Sequence, residues 1–178
     1  MKRFLLIVLL TALLSSCASL EWSAARIDEE ADRALGQFGE QIDEADIFLG
    51  QASGFLVFPR VIKAGIGVGA ETGEGVLRIN SRSVEYYRTT SGSIGFQAGA
   101  QAKSMVIVFL TQSALDTFRK SNGWRVGIDG SVAMIDVGIG KSIDTDNIRD
   151  PVVGFVFSSR GLMYNLTFEG SRFTKLQK

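Results

Sequence analysis

Histidine is absent from all 178 residues, and cysteine occurs once, at Cys17. Without histidine there is no Ser-His-Asp or Cys-His nucleophile and no imidazole metal site. A lone cysteine excludes an internal disulfide and a zinc–thiolate cluster, which needs several sulfur ligands. Charge of one sign is missing too. The 19 basic and 19 acidic residues cancel, whereas a dedicated nucleic-acid binder is strongly basic. Nor does the leading apolar run, residues 4–14 broken only by Thr11, reach the about 20 residues a membrane-crossing helix needs.

What is present at that end reads as an export signal over residues 1–16: a basic start at Lys2 and Arg3, a short apolar stretch and a small-residue exit. "LSSC", residues 14–17, resembles the bacterial lipobox. That resemblance implies a diacylglyceryl thioether and an acylated amine, palmitate-type chains, on Cys17. Acyl burial contributes about 0.8 kcal/mol per methylene, so several chains hold a protein firmly on a bilayer. By analogy with Gram-negative lipoprotein sorting, Ala18 in the following position, rather than aspartate, implies the outer membrane and its periplasmic face. No cofactor is expected beyond this covalent lipid.

The remaining chain suits one domain, and 46% apolar residues allow a real core. Residues 17–32 form a tether and the start of an acidic helix; residues 33–178 form the domain proper. Charge is divided unevenly. From Glu21 to Asp46 there are nine acids and two bases; from Ile47 onward there are fifteen bases and ten acids. Ala31, Leu35, Phe38, Ile42, Ala45 and Leu49 recur at helical spacing, which predicts an amphipathic helix ending near Leu49. Gly36 and Gly39 predict a break in its middle. After Gly54 the pattern changes to short β-branched or aromatic runs punctuated by Gly, Ser and Asn. "GFLVFP" is closed by Pro59, and "EGVLRIN", "SVEYYRTT" and "MVIVFL" come after it. One short helix interrupts them at residues 111–121, with Thr111 as N-cap and Ala114, Leu115 and Phe118 on one face. "WRVGIDGSVAMIDVGIG" returns to strand, 141–150 is a polar loop, and residues 162–169 alternate as a strand. The expected fold is α+β: a mostly antiparallel, strongly curved or barrel-like glycine-rich sheet, an N-terminal helix and one short internal helix.

"KAGIGVGAETGEGVLR", residues 63–78, poses the sharpest question, because glycine-rich runs often cradle phosphate. A dinucleotide loop needs G-x-G-x-x-G before a helix; here Thr72 replaces the third glycine and a strand pattern succeeds it. The "GKS" at 140–142 lacks the first glycine of a Walker loop, since Ile135 stands there. Gly65, Gly67 and Gly69 instead fall at period two, on one strand face with Lys63, as Gly95 and Gly99 do with Gln97 and Gln101. Bare backbone of that kind admits a close neighbour or a tight bend. Asp144 and Asp146 open like a calcium loop, but Ile148 fills the third ligand position. Glu71 with Glu74 is a pair of turn carboxylates, and the Asn165 sequon lies in a strand pattern. No set of residues is assembled for catalysis, so a non-enzymatic protein is expected, binding neither nucleotide nor nucleic acid.

Four ordered blocks, "FLVFPRVIKAGIGVGAETGEGVLR", "YYRTTSGSIGFQAGAQAKSMVIVFLTQSALDTF", "WRVGIDGSVA" and "PVVGFVFSSRGLMYNLTFEGSRFTKL", together resemble the SYLF domain, also called the Ysc-type actin-binding domain. The resemblance runs from about Arg33 to Lys178, with the K-A-G of 63–65 and the "ALDTF" helix among its markers. It implies binding to membrane lipid through basic residues and an amphipathic N-terminal segment; here that segment is acidic. Lys63 matches the family motif. Arg60, Arg78, Arg82, Arg88 and Lys103 join it as candidate contacts to anionic phospholipid headgroups, because basic residues concentrate around the glycine-rich strands. Two other readings stay open. One is an envelope scaffold that meets a protein partner through the acidic helix; the other is a carrier of an apolar ligand inside the curled sheet.

Overall fold

The structure, a computed structural model, describes residues 22–42, 44–121, 123–137, 150–161 and 170–178; between 94 and 98 it describes the backbone alone. The signal segment, Cys17, the loop carrying Asp144 and Asp146, and the alternating 162–169 lie outside the described residues.

Helix α1 spans Ala24–Gln41. The Ser23 hydroxyl caps it by accepting from the Arg26 backbone N–H at 3.3 Å. The chain breaks at Ile42, which is extended, and resumes as α2, Ala45–Gln51. The break thus falls after the glycines, not at them. Gly36 and Gly39 face open space and weaken the helix without interrupting it. Two long strands then dominate the fold: β1 spans Gly54–Ile79 and β2 spans Arg82–Phe109. They pair antiparallel along their whole length and turn at Asn80 and Ser81, both at positive φ, as a two-residue primed hairpin turn requires. Helix α3, Gln112–Lys120, is capped by the Thr111 hydroxyl, which accepts from the Ala114 N–H at 3.2 Å. Short strands complete the sheet: β3 (Trp124–Arg125), β4 (Ala133–Asp136), β5 (Val152–Gly161) and β6 (Arg172–Leu176).

Strand β2 is the spine. One edge carries β1; the other carries β6 along residues 86–90 and β5 along residues 101–109. Among the described strands every pairing but one is antiparallel; β4 lies parallel to β5. The fold is therefore α+β with a curled, mostly antiparallel sheet.

Glycine makes the curl. Gly67, at φ +70°, sits in a bulge where β1 turns back on itself. A Cβ on Gly65 would collide with the Val68 carbonyl and Gly69. Further along, a Cβ on Gly73 would stand 2.6 Å from the Arg60 carbonyl oxygen, and one on Gly75 would strike Val57 and the Phe58 ring. The two limbs of one strand thus lie backbone against backbone, and only glycine fits between them. Beyond Gly67 the chain is strand up to Ile79, not the helix start that a phosphate loop needs.

Bending separates two apolar layers. Inside the curl, Leu56, Phe58, Val61, Leu77, Met105 and Ile107 pack with α3 and β6. The Phe118 ring lies 4.8 Å from both Tyr87 and Phe109 there. On the back, Ile27, Ala31, Ala34 and Phe38 of α1 cover Val57, Val76, Val106 and Phe155. Phe38 and Phe155 meet edge to face at 5.0 Å.

Candidate functional site

Acidic α1 and basic sheet are complementary within the molecule. On one flank of the helix, Asp32 pairs with Arg78 at 2.6 Å, and Asp28 accepts from Ser83 at 2.8 Å and Tyr86 at 2.9 Å. Burial, and then Asp28, push the Tyr86 phenol up. Nearby, Glu74 accepts from the Trp22 backbone N–H and pairs with Arg88 at 2.7 Å and Lys178 at 3.1 Å, joining both ends of the described chain. Two of the helix's five acids, Asp28 and Asp32, are therefore engaged by the sheet.

The opposite flank opens into a groove of about 420 Å³. Its walls are Glu30, Arg33 and Gln37 of α1, Pro59 and Arg60 of β1, and Ser158 and Arg160 of β5; Ala102, Lys103 and Ser104 of β2 lie between them. Register shifts build it. β1 bulges between Phe58 and Val61, β2 and β5 slip between Ala102 and Ser104, and Ser158 adopts φ +52°. Such bulges re-aim side chains. Ser158 is fixed by donating to Gln37 Oε1 at 3.2 Å and accepting from Gln41 Nε2 at 2.9 Å, while Ser104 donates to the Pro59 carbonyl at 2.9 Å.

Pairing decides which of the groove's charges remain. Arg33 is bound by Glu29 at 2.9 Å and Glu30 at 2.7 Å. Lys103 is bound by Glu71 at 2.9 Å, with both side chains almost wholly buried. Arg60 and Arg160 have no carboxylate partner among the described residues. Two guanidiniums without a carboxylate partner among the described residues therefore line one groove, which suits a diffuse or bidentate oxyanion.

Of the six basic residues singled out from the sequence, Arg60 and Lys103 meet at this groove. Lys63 is buried with Lys103 on the inner face, at the height of Gln101, its cross-strand partner. The cationic ends of Lys63 and Lys103 thus sit inside the fold. Arg78 is buried on Asp32, Arg88 is half-buried on Glu74, and Arg82 is exposed beside the hairpin turn, on the other flank of α1. Sequence reasoning missed Arg160 and Arg33. Nothing local distinguishes them, because three separate chain segments and two register shifts bring them to Arg60.

A second polar centre is structural. Glu85 accepts from Arg119 at 2.9 and 3.2 Å, from Lys175 at 2.6 Å and from Tyr87 at 2.7 Å, tying α3 and β6 to β2. Burial pushes its carboxyl up, but hydrogen bonds from Arg119, Lys175 and Tyr87 outweigh that and hold it at about 2. Tyr87 is pushed well up, by burial first and then by its bond to Glu85.

A curled antiparallel sheet backed by a helix, with a groove at the seam lined by two arginines that no described carboxylate pairs, has the form of a binding module. Residues 90–178 match the Ysc84 family, described as Las17-binding protein actin regulator. The chain belongs to that family, the family of the SYLF binding domain. Comparison with curated proteins gives no match.

Proposed function

We propose that this is a non-enzymatic, lipid-anchored protein of the bacterial envelope. Acyl chains on Cys17 hold it to the periplasmic face of the outer membrane, and its groove takes the phosphate of an anionic phospholipid headgroup. Family membership supports lipid or actin-related binding. Between these, the export-signal pattern and the lipobox-like "LSSC" favour lipid. The observation that carries the reading is the arginine pair: Arg60 and Arg160 are the groove cations that no acid neutralises among the described residues. Each contributes about 1 kcal/mol near an anionic surface, more where a guanidinium grips phosphate with two N–H groups. Lys63, Lys103, Arg78 and Arg88 support the groove by holding strands and helix in register, and Arg82 adds long-range attraction.

Co-sedimentation of the mature chain carrying Cys17→Ser tests this, using phosphatidylcholine vesicles with and without phosphatidylglycerol. Binding should require the anionic lipid, weaken with salt, and fall about tenfold or more in the Arg60→Ala, Arg160→Ala double variant. Equal binding to neutral and anionic vesicles would overturn the proposal.

A further inference from the structure

At the corner of β1 the fold leaves large apolar side chains in solvent. Ile66 is 86% exposed, Val68 66% and Ile62 39%. The segment from Ala64 to Ala70 carries no charge, and neither does its partner from Thr89 to Ala102 on β2. In a soluble surface loop such a tip is a liability; a contiguous exposed apolar patch marks an interaction site. It is also continuous with the groove. Ile62 pairs with Ala102, and Ala102 with Arg160, so one row of residues across three strands leads from the apolar corner to the cationic opening. Ile62 and Ile66 are separated by about 13 Å, at about 3.3 Å per residue.

We infer that the Gly65–Gly69 corner is a membrane wedge. Ile66 and Val68 seat in the headgroup–acyl boundary of a bilayer while Arg60 and Arg160 hold phosphates at its rim. The inference rests on the lipid-binding reading above and adds to it a second, apolar contact. Charge arrangement selects the occupant: an uncharged tip with cations only at its base fits an anionic lipid surface, in which both chemistries occur in that order with depth. Insertion is shallow, on the scale of the about 5–10 Å that interfacial segments reach. Among the described residues β1 pairs only with β2, so its outer backbone edge still needs water and resists entry into hydrocarbon.

The test uses the mature chain carrying Cys17→Ser and phosphatidylcholine–phosphatidylglycerol vesicles. Ile66→Ser with Val68→Ser should leave the thermal midpoint unchanged, because both sites are exposed, and weaken vesicle binding about 10- to 100-fold. A fluorophore on Ile66→Cys should shift to the blue on binding and be quenched by lipids carrying nitroxide near the headgroup end of the chain. The same label on Ile128→Cys, exposed on the turn after β3, should not respond. Full binding by the serine variant, or an unquenched label at residue 66, overturns the wedge; retained arginine dependence would then leave the headgroup reading standing. Wild-type chain that ignores vesicles altogether removes both. Sedimentation showing a vesicle-independent dimer that Ile66→Ser abolishes would assign the corner to self-association instead.

Discussion

Glu71→Gln tests whether the buried charge pair is as consequential as its setting implies. Glu71 meets Lys103 at 2.9 Å, with the two side chains 3% and 2% exposed. Both lie on the inner face, where the apolar layer of Val61 and Met105 gives way to Lys63 and Gln101. Solvent cannot screen an interaction so enclosed. Glutamine keeps the shape of glutamate and removes its charge, so Lys103 loses the anion it meets. Breaking a buried pair in this way costs about 3–5 kcal/mol, a large part of the about 5–15 kcal/mol that stabilises a domain. At about 2–4 °C per kcal/mol for a chain of this size, the melting temperature should fall by about 6–20 °C. Pairing the change with Lys103→Met should recover much of the loss, because it removes the buried cation that Glu71→Gln leaves without its anion. Urea titrations of wild type, both single variants and the double variant give the coupling, expected at about 2–4 kcal/mol with an unchanged denaturant slope. A Glu71→Gln loss below about 1 kcal/mol, or a double variant as unstable as the sum of its singles, would refute the argument.

Glycine substitutions should divide by location. Gly73→Ala and Gly75→Ala push a methyl into the facing limb of β1 and should each cost several kcal/mol, whereas Gly36→Ala, on the open face of α1, should raise stability by up to about 1 kcal/mol in a thermal melt. Glu85 should govern acid stability. Its carboxyl is depressed from 4.5 to about 2, so its contribution is complete above about pH 4.5 and is lost as pH falls towards 2. After discounting for the partly exposed Arg119 and Lys175, wild type should lead Glu85→Gln by about 1–2 kcal/mol in urea at neutral pH, and the gap should close by pH 2. Thr111→Ala removes the α3 cap and should cost about 1 kcal/mol, measured the same way.

Much of the architecture was legible because short-range physics dictates it. Thr111 and the Leu115–Phe118 face fixed α3 to within a residue, and the stripe of Ala31, Phe38 and Ile42 marked the buried side of the N-terminal helix. The glycines announced a bend, since Gly67 takes a left-handed backbone that side chains disfavour and a Cβ at Gly73 would strike the Arg60 carbonyl. Other features depend on partners distant in sequence. Pro59 reads as the end of a strand, yet β1 continues through it, the proline sitting in a bulge where no ladder hydrogen bond is lost. That bulge shifts the alternation by one residue, so spacing could not say which of Arg60 and Lys63 would reach solvent. The same slip, matched at Ser158, places Arg160 beside Arg60. Nor does helical spacing show that Asp28 and Asp32 of the acidic helix are occupied by Tyr86 and Arg78.

The 80–81 turn has a bearing on how the chain acquires its shape. Both arms of the longest pairing issue from it, so that pairing can zip outwards from one local nucleus. The C-terminal strand must travel from residue 172 back to residues 86–90 and slots between two strands already drawn to it. Chains that stop short of residue 172 should therefore leave the spine with an open hydrogen-bonding margin, and such molecules should assemble with one another rather than remain monomers.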